Sequence, residues 1–122
     1  MARILFVDDE PDLIFLVTKM LKNDGYNVTT ASSGEECLKM LKKEKPDLIL
    51  LDVMMKGIDG WEVCKKIKED KQTKNIPVVM LTVRTSDDSK RKSFDYAHCD
   101  AHIDKPFARE ELIATIKKLL EK

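Results

Sequence analysis

Five residues of this chain have types and positions that suit chemistry: Asp8, Asp9, Asp52, Thr82 and Lys105. Each stands at or just beyond the end of an apolar run. Ile4-Leu5-Phe6-Val7 leads into Asp8-Asp9-Glu10, Leu48-Ile49-Leu50-Leu51 into Asp52, Val78-Val79-Met80-Leu81 into Thr82, and Ile103 into Asp104-Lys105-Pro106. Runs that are apolar throughout read as strands covered on both faces, which implies a parallel sheet with helices above and below. The C-terminal ends of such strands share one edge, and that edge is where ligands sit. It would gather three carboxylates, a hydroxyl and an ammonium, a set suited to a divalent cation and a phosphoryl group.

The elements needed to position these residues are legible in turn. Pro11 suits a first helical turn, and Leu13, Leu16, Val17, Met20 and Leu21 follow at helical spacing until Gly25 stops the helix. Val28 to Ala31 is a short strand, and Ser33 caps a helix that carries Cys37, Leu38 and Leu41 inward. After the strand ending at Asp52, Lys56 to Gly60 is a loop, with Asp59-Gly60 as turn and cap. Trp61, Val63, Cys64 and Ile67 then mark a helix ending near Asp70. Pro77 opens the fourth strand. Ser86 to His98 is expected to be a loosely held helix, with Phe94, Ala97 and Tyr96 as its inward candidates against a block of charged residues. Cys99 to Ile103 is the fifth strand, and Leu112, Ile113, Ile116, Leu119 and Leu120 stripe a last helix. The pattern is (βα)5 without linker or repeat.

Composition bounds the function. A chain of 122 residues, 43% hydrophobic, fits one domain spanning 1–122 with a proper core. Lys+Arg and Asp+Glu are equal at 22 each, so no basic face announces nucleic acid, and direct nucleic-acid binding is not expected. No apolar stretch approaches the roughly 20 residues that span a bilayer, and no leader pattern stands at Met1, so a cytoplasmic protein without membrane contact is expected. Cys37, Cys64 and Cys99 lack metal-ligand spacing and read as small buried apolar residues.

Val7-Asp8-Asp9-Glu10, the Asp52 of Leu-Leu-Asp-Val-Met-Met, Asp59-Gly60, Leu81-Thr82 and Lys105-Pro106-Phe107 occur in order, each at the end of an element. With these motifs the whole chain resembles the CheY-like receiver domains of two-component response regulators, for which the flavodoxin-like strand order is 2-1-3-4-5. The resemblance implies that Asp52 is the nucleophile taking a phosphoryl group from a histidine kinase, a phosphotransfer protein or a small phosphodonor. It further implies Mg2+, or Mn2+, held by Asp8, Asp9, Asp52 and the Met54 backbone carbonyl, with Lys105 and Thr82 contacting phosphoryl oxygens. Such a domain is not an enzyme beyond its own phosphorylation and dephosphorylation. It switches the face of helix four, strand five and helix five toward an effector protein or an attached output domain. Because Met1-Ala2-Arg3 runs straight into strand one, a stand-alone or N-terminal receiver is expected.

Four positions depart from the family pattern. Lys56 stands where proline is common, His98 where glycine often precedes strand five, and Val83 where Ala or Gly follows the threonine. His102 takes the place of the switch aromatic. Val83, with Arg84, is expected to hinder water near the acyl phosphate, and Lys56 to add a charge beside the metal. His102, together with Thr82, would form the switch. An imidazole buried in a mostly apolar pocket would make that switch pH-sensitive, acid favouring the outward ring, whereas a ring at the surface in both states, or one whose pKa the nearby Asp100 and Asp104 raise in both, would not.

Taken singly, these residues have plainer explanations: helix-cap acids, a turn aspartate, a strand threonine and a solvated lysine. Their convergence on one edge is what those explanations leave out. A flavin- or nucleotide-binding domain of this architecture would need a Gly/Ser/Thr-rich loop after strand one, where Asp-Asp-Glu-Pro stands instead. An aspartate-nucleophile phosphatase would carry a second Asp two residues after the nucleophile, where this chain has Met54. A receiver fold used only for docking would not need the five residues.

Overall fold

The computed structural model of the chain describes residues 2–83 and 91–121. Five parallel strands, β1 (Arg3–Val7), β2 (Asn27–Ala31), β3 (Leu48–Asp52), β4 (Val78–Thr82) and β5 (Ala101–Asp104), form one sheet in the order β2-β1-β3-β4-β5. This is the expected flavodoxin-like α/β sandwich. Between the strands run α1 (Pro11–Asn23), α2 (Gly34–Lys43), α3 (Gly60–Glu69), a π-helical turn labelled α4 (Lys92–Tyr96), and finally α5 (Arg109–Leu120).

The central strands β3 and β4 are buried at every position because helices cover both faces. Strand side chains alternate between faces, so the core divides into two layers. Leu5, Val7, Ile49, Leu51, Val78 and Met80 pack with α2 and α3, whereas Ile4, Phe6, Leu48, Leu50, Val79 and Leu81 pack with α1 and α5. Cys37, Cys64 and Cys99 lie buried in the first layer as free thiols, and burial pushes each up to about 12, which keeps them protonated and inert. No helix among the described residues is long and apolar enough to cross a membrane.

Local signals largely do what the residues suggested. Pro11 begins α1, Gly25 at φ 92° follows its end, and the Ser33 hydroxyl accepts from the Glu36 amide at 3.1 Å to cap α2. Asp59 caps α3 by accepting from the Glu62 amide at 2.9 Å. His98 has φ 60°, the left-handed conformation anticipated for the place where glycine is usual.

Three expectations need correction. Leu16 is 56% exposed: Val17 and Leu21 carry the buried stripe of α1, and Leu16 lies outside it. Strand β5 starts at Ala101 and runs through Asp104, two residues later than Cys99 at the front. The helix expected over 86–98 falls partly outside the described residues. In its described part Phe94 and Tyr96 are exposed, while Ser93 and Ala97 are fully buried. The cause is the wider i→i+5 turn, shown by the Ala97 amide donating to the Lys92 carbonyl at 3.0 Å, which shifts the inward face away from a 3.6-residue stripe.

Candidate functional site

Register assembles the site. Val7 lies opposite Leu51 and Asp52 opposite Leu81, so Asp8 emerges beside Asp52, while Thr82 pairs with Asp104 directly before Lys105. Asp8, Asp9 and Asp52 each offer an oxygen within 4.8 Å of the others. Asp8 and Asp52 are buried and Asp9 is exposed, so the cluster opens to water on one side. The Lys105 ammonium, its side chain 13% exposed, donates to Asp8 Oδ2 at 3.0 Å and Asp52 Oδ1 at 3.1 Å. Thr82 is fully buried at the end of β4. All five residues singled out by type thus converge on the C-terminal edge.

The electrostatics show which charge is in excess. Burial, then the neighbouring Asp8, push the Asp52 carboxyl up to about 6, against the opposing pull of Lys105. Burial would lower Lys105, but Asp52 and Asp8 outweigh it and raise its pKa above the usual lysine value. One ammonium for three carboxylates leaves a net negative pocket with several oxygens converging, which suits a hard divalent cation.

Backbone geometry keeps the pocket compact. A β-carbon on Gly60 would stand 2.2 Å from the Asp52 carbonyl oxygen, so only glycine lets α3 begin directly against the β3 end. That packing need was missed in reading Asp59-Gly60 as a turn and cap. The loop between them is tied down at two points. The Lys56 amide donates to Asp9 Oδ2 at 3.2 Å, and the Ile58 amide to Glu35 Oε2 at 3.3 Å beside Gly57 at φ 79°. Proline at position 56 would lack that donor. Glu35 was missed because an acid in a helix's first turn already has a reason to be there. Val83 is 65% exposed on the rim of a cleft that also reaches Lys105, and Arg84 lies outside the described residues.

The His102 imidazole is 1% exposed and therefore inward, but its surroundings are not apolar. Nδ1 lies 2.9 Å from Ser93 Oγ and Nε2 lies 3.1 Å from Asp104 Oδ1. With a carboxylate and a hydroxyl as partners, the expected acid-driven outward swing loses its premise, the apolar pocket.

Residues 4–117 match the family described as the response regulator receiver domain. The chain belongs to the response regulator receiver domain family. The receiver is 41% identical over 120 residues to the alkaline phosphatase synthesis transcriptional regulatory protein PhoP of Bacillus subtilis, covering 98% of this chain and 49% of that protein. It therefore spans about half the length of the curated relatives it matches. Among solved structures it superimposes on a putative response regulator from Chloroflexus aurantiacus with TM-score 0.95 and 34% identity, covering 99% and 98% of the two chains. It also matches the Thermotoga maritima response regulator TrrA, solved in complex with Mg(2+)-BeF, with TM-score 0.87 and 39% identity over 98% of this chain and 99% of that one.

Proposed function

We propose that this receiver accepts a phosphoryl group on Asp52 from the phosphohistidine of a kinase or phosphotransfer protein. The observation that carries the reading is a trio of carboxylates, two of which, Asp8 and Asp52, are bridged by a single ammonium. An Asp52 oxygen attacks phosphorus as the P–N bond of phosphohistidine breaks, leaving an acyl phosphate on the receiver and an imidazole on the donor. Carboxylate is a modest nucleophile, so positioning and charge neutralisation supply most of the rate.

Asp8, Asp9 and Asp52 would hold Mg2+, or Mn2+, with the Met54 carbonyl as a further oxygen ligand. When bound, the cation neutralises charge on the acid cluster and on the transferring group. Lys105 holds one phosphoryl oxygen as a point charge, and the Thr82 hydroxyl donates to another. Val83 on the rim slows the approach of water to the acyl phosphate, and the Lys56 amide steadies Asp9. Exposed Phe15, on the same cleft as Asp9, gives a donor protein apolar surface beside the pocket. The domain acts in the cytoplasm, alone or as one unit of a longer regulator, through the face formed by α4, β5 and α5. Beyond its own phosphorylation and dephosphorylation it performs no catalysis.

Mass spectrometry after incubation with acetyl phosphate tests this. The chain gains one phosphoryl group, on Asp52, only with a divalent cation present, and Asp52→Asn abolishes the gain. Equal labelling of the Asp52→Asn protein would overturn the assignment.

A further inference from the structure

A chain of hydrogen bonds, buried at its centre, crosses the seam between α3, α4 and β5. At one end the Trp61 indole N–H, which can only donate, gives its proton to Ser93 Oγ at 3.0 Å. At the other end Asp104, which as a carboxylate can only accept, lies 3.1 Å from His102 Nε2. Between them Ser93 Oγ and His102 Nδ1 are 2.9 Å apart. With a donor fixed at one end and an acceptor at the other, one arrangement of the neutral ring makes all three bonds. Nε2 carries the proton and donates to Asp104, and Nδ1 accepts from the Ser93 hydroxyl. The bonds then all run in one direction and reinforce each other, shut off from water at Ser93, 0% exposed, and at the imidazole, 1% exposed, and reaching solvent at Asp104, whose side chain is 34% exposed.

Each end is joined through the main chain to the phosphoacceptor pocket. Trp61 follows Gly60, whose α-carbon is pressed against the Asp52 main chain, and Asp104 pairs with Thr82 and precedes Lys105. Ser93, midway, belongs to α4, and its carbonyl also accepts from the Cys99 amide at 3.0 Å, which fixes the main chain that carries the hydroxyl. A serine in this place carries no apolar signal, and the π turn is what brings it inward.

We propose that Ser93 is a positioning residue: its hydroxyl holds the His102 ring and proton in place, and so couples the Asp52 pocket to the seam between α3 and α4. The coupling rests on Asp52 being the phosphoacceptor; the hydrogen-bond assignment does not.

Two nuclear magnetic resonance signals read the two parts. In 15N-histidine-labelled protein at mildly basic pH, above the roughly 6.5 at which histidine ordinarily titrates, His102 shows the Nε2–H tautomer. Its Nδ1 signal, displaced by an accepted hydrogen bond, moves back toward the unbonded position in Ser93→Ala and returns in Ser93→Thr. A His98→Asn variant assigns which of the two histidines is observed. The indole N–H of Trp61, the single tryptophan, shifts on adding acetyl phosphate and Mg2+, and Ser93→Ala reduces that shift by at least half while mass spectrometry shows undiminished labelling. An Nδ1–H ring in the wild-type protein overturns the proposal without any variant. An Nδ1 signal unmoved in Ser93→Ala, or a full indole response there, overturns it as well. Absence of label on Asp52 would instead sink the phosphoacceptor reading, with the ring signals still testing Ser93 separately.

Discussion

Two lysines of this receiver are buried to nearly the same degree and differ in what surrounds them. Lys68, its side chain 11% exposed near the N-terminal edge of the sheet, donates to the Lys74 and Ile76 carbonyls at 3.1 and 2.8 Å and to Asp100 Oδ2 at 2.7 Å. One ammonium meets one carboxylate, all three donors are used, and Asp100 also accepts the Val78 amide at 2.8 Å. Lys105, 13% exposed at the opposite edge, stands among three carboxylates. The first arrangement is closed and holds the end of α3 to the starts of β4 and β5. The second is left short of positive charge, which suits it to bind a cation. Burial of a charge therefore does not separate structural from functional sites, whereas the balance of charge around it does.

The comparison can be tested from both sides. Lys105→Met should lower the rate of acetyl phosphate labelling about 100-fold, the scale of losing one preorganised positive group at a phosphoryl oxygen. Initial rates by mass spectrometry check it, and a loss under about threefold would show that Lys105 is no more than a counter-charge. Lys68→Met should leave that rate within about twofold of the wild type but lower stability by about 2 kcal/mol, since it takes the donor from two carbonyls and the counter-charge from Asp100. Urea unfolding measures this, and a slower labelling rate would mean that the two edges are not independent.

The third effect is confined to part of the pH range and concerns Asp52. Its carboxyl is held up to about 6 from an ordinary 3.8, so the folded state binds more protons than the unfolded chain between those values. Ionised Asp52 therefore subtracts from stability above about pH 6, and acidification through that window removes the cost. Asp52→Asn should stabilise the cation-free protein by up to about 2 kcal/mol at mildly basic pH, with the gain fading as pH falls through about 6. Urea titrations across that range give the profile. A gain that is flat with pH would locate the excess charge elsewhere.

The two lysines also mark how much could be read from the chain. Asp8, Asp9, Asp52, Thr82 and Lys105 were legible because strand ends in a parallel sheet are forced onto one edge. The sheet order followed from the resemblance those motifs carry. Lys68 was not, because its partners come from a loop and from the approach to β5, and on an amphipathic helix a lysine already looks solvated. Ser93 and Phe94 exchanged roles for a different reason: the inward face of α4 was judged on a 3.6-residue period that a π turn does not keep. Leu16 fell outside the stripe of α1 that Val17 and Leu21 define, since apolar type alone does not bury a residue at the margin of a helix face. Asp104, two residues along β5 from His102, was within reach of a local reading, whereas Ser93 comes from α4, a pairing across elements that no local pattern announces.

The division of the core by the sheet has a consequence for how this chain can change. Leu51 and Leu50 are neighbours in sequence, yet one touches the α2 and α3 layer and the other the α1 and α5 layer, with the backbone ladder between them. A methyl group lost from Ile49 can be made good only by a larger neighbour in its own layer, never by one at Ile113 or Ile116, because filling cannot pass through the sheet. The molecule thus presents two separate packing problems that share one backbone. Compensating substitutions should fall within a layer, and one layer is free to be rebuilt for a new partner while the other keeps its inherited side chains.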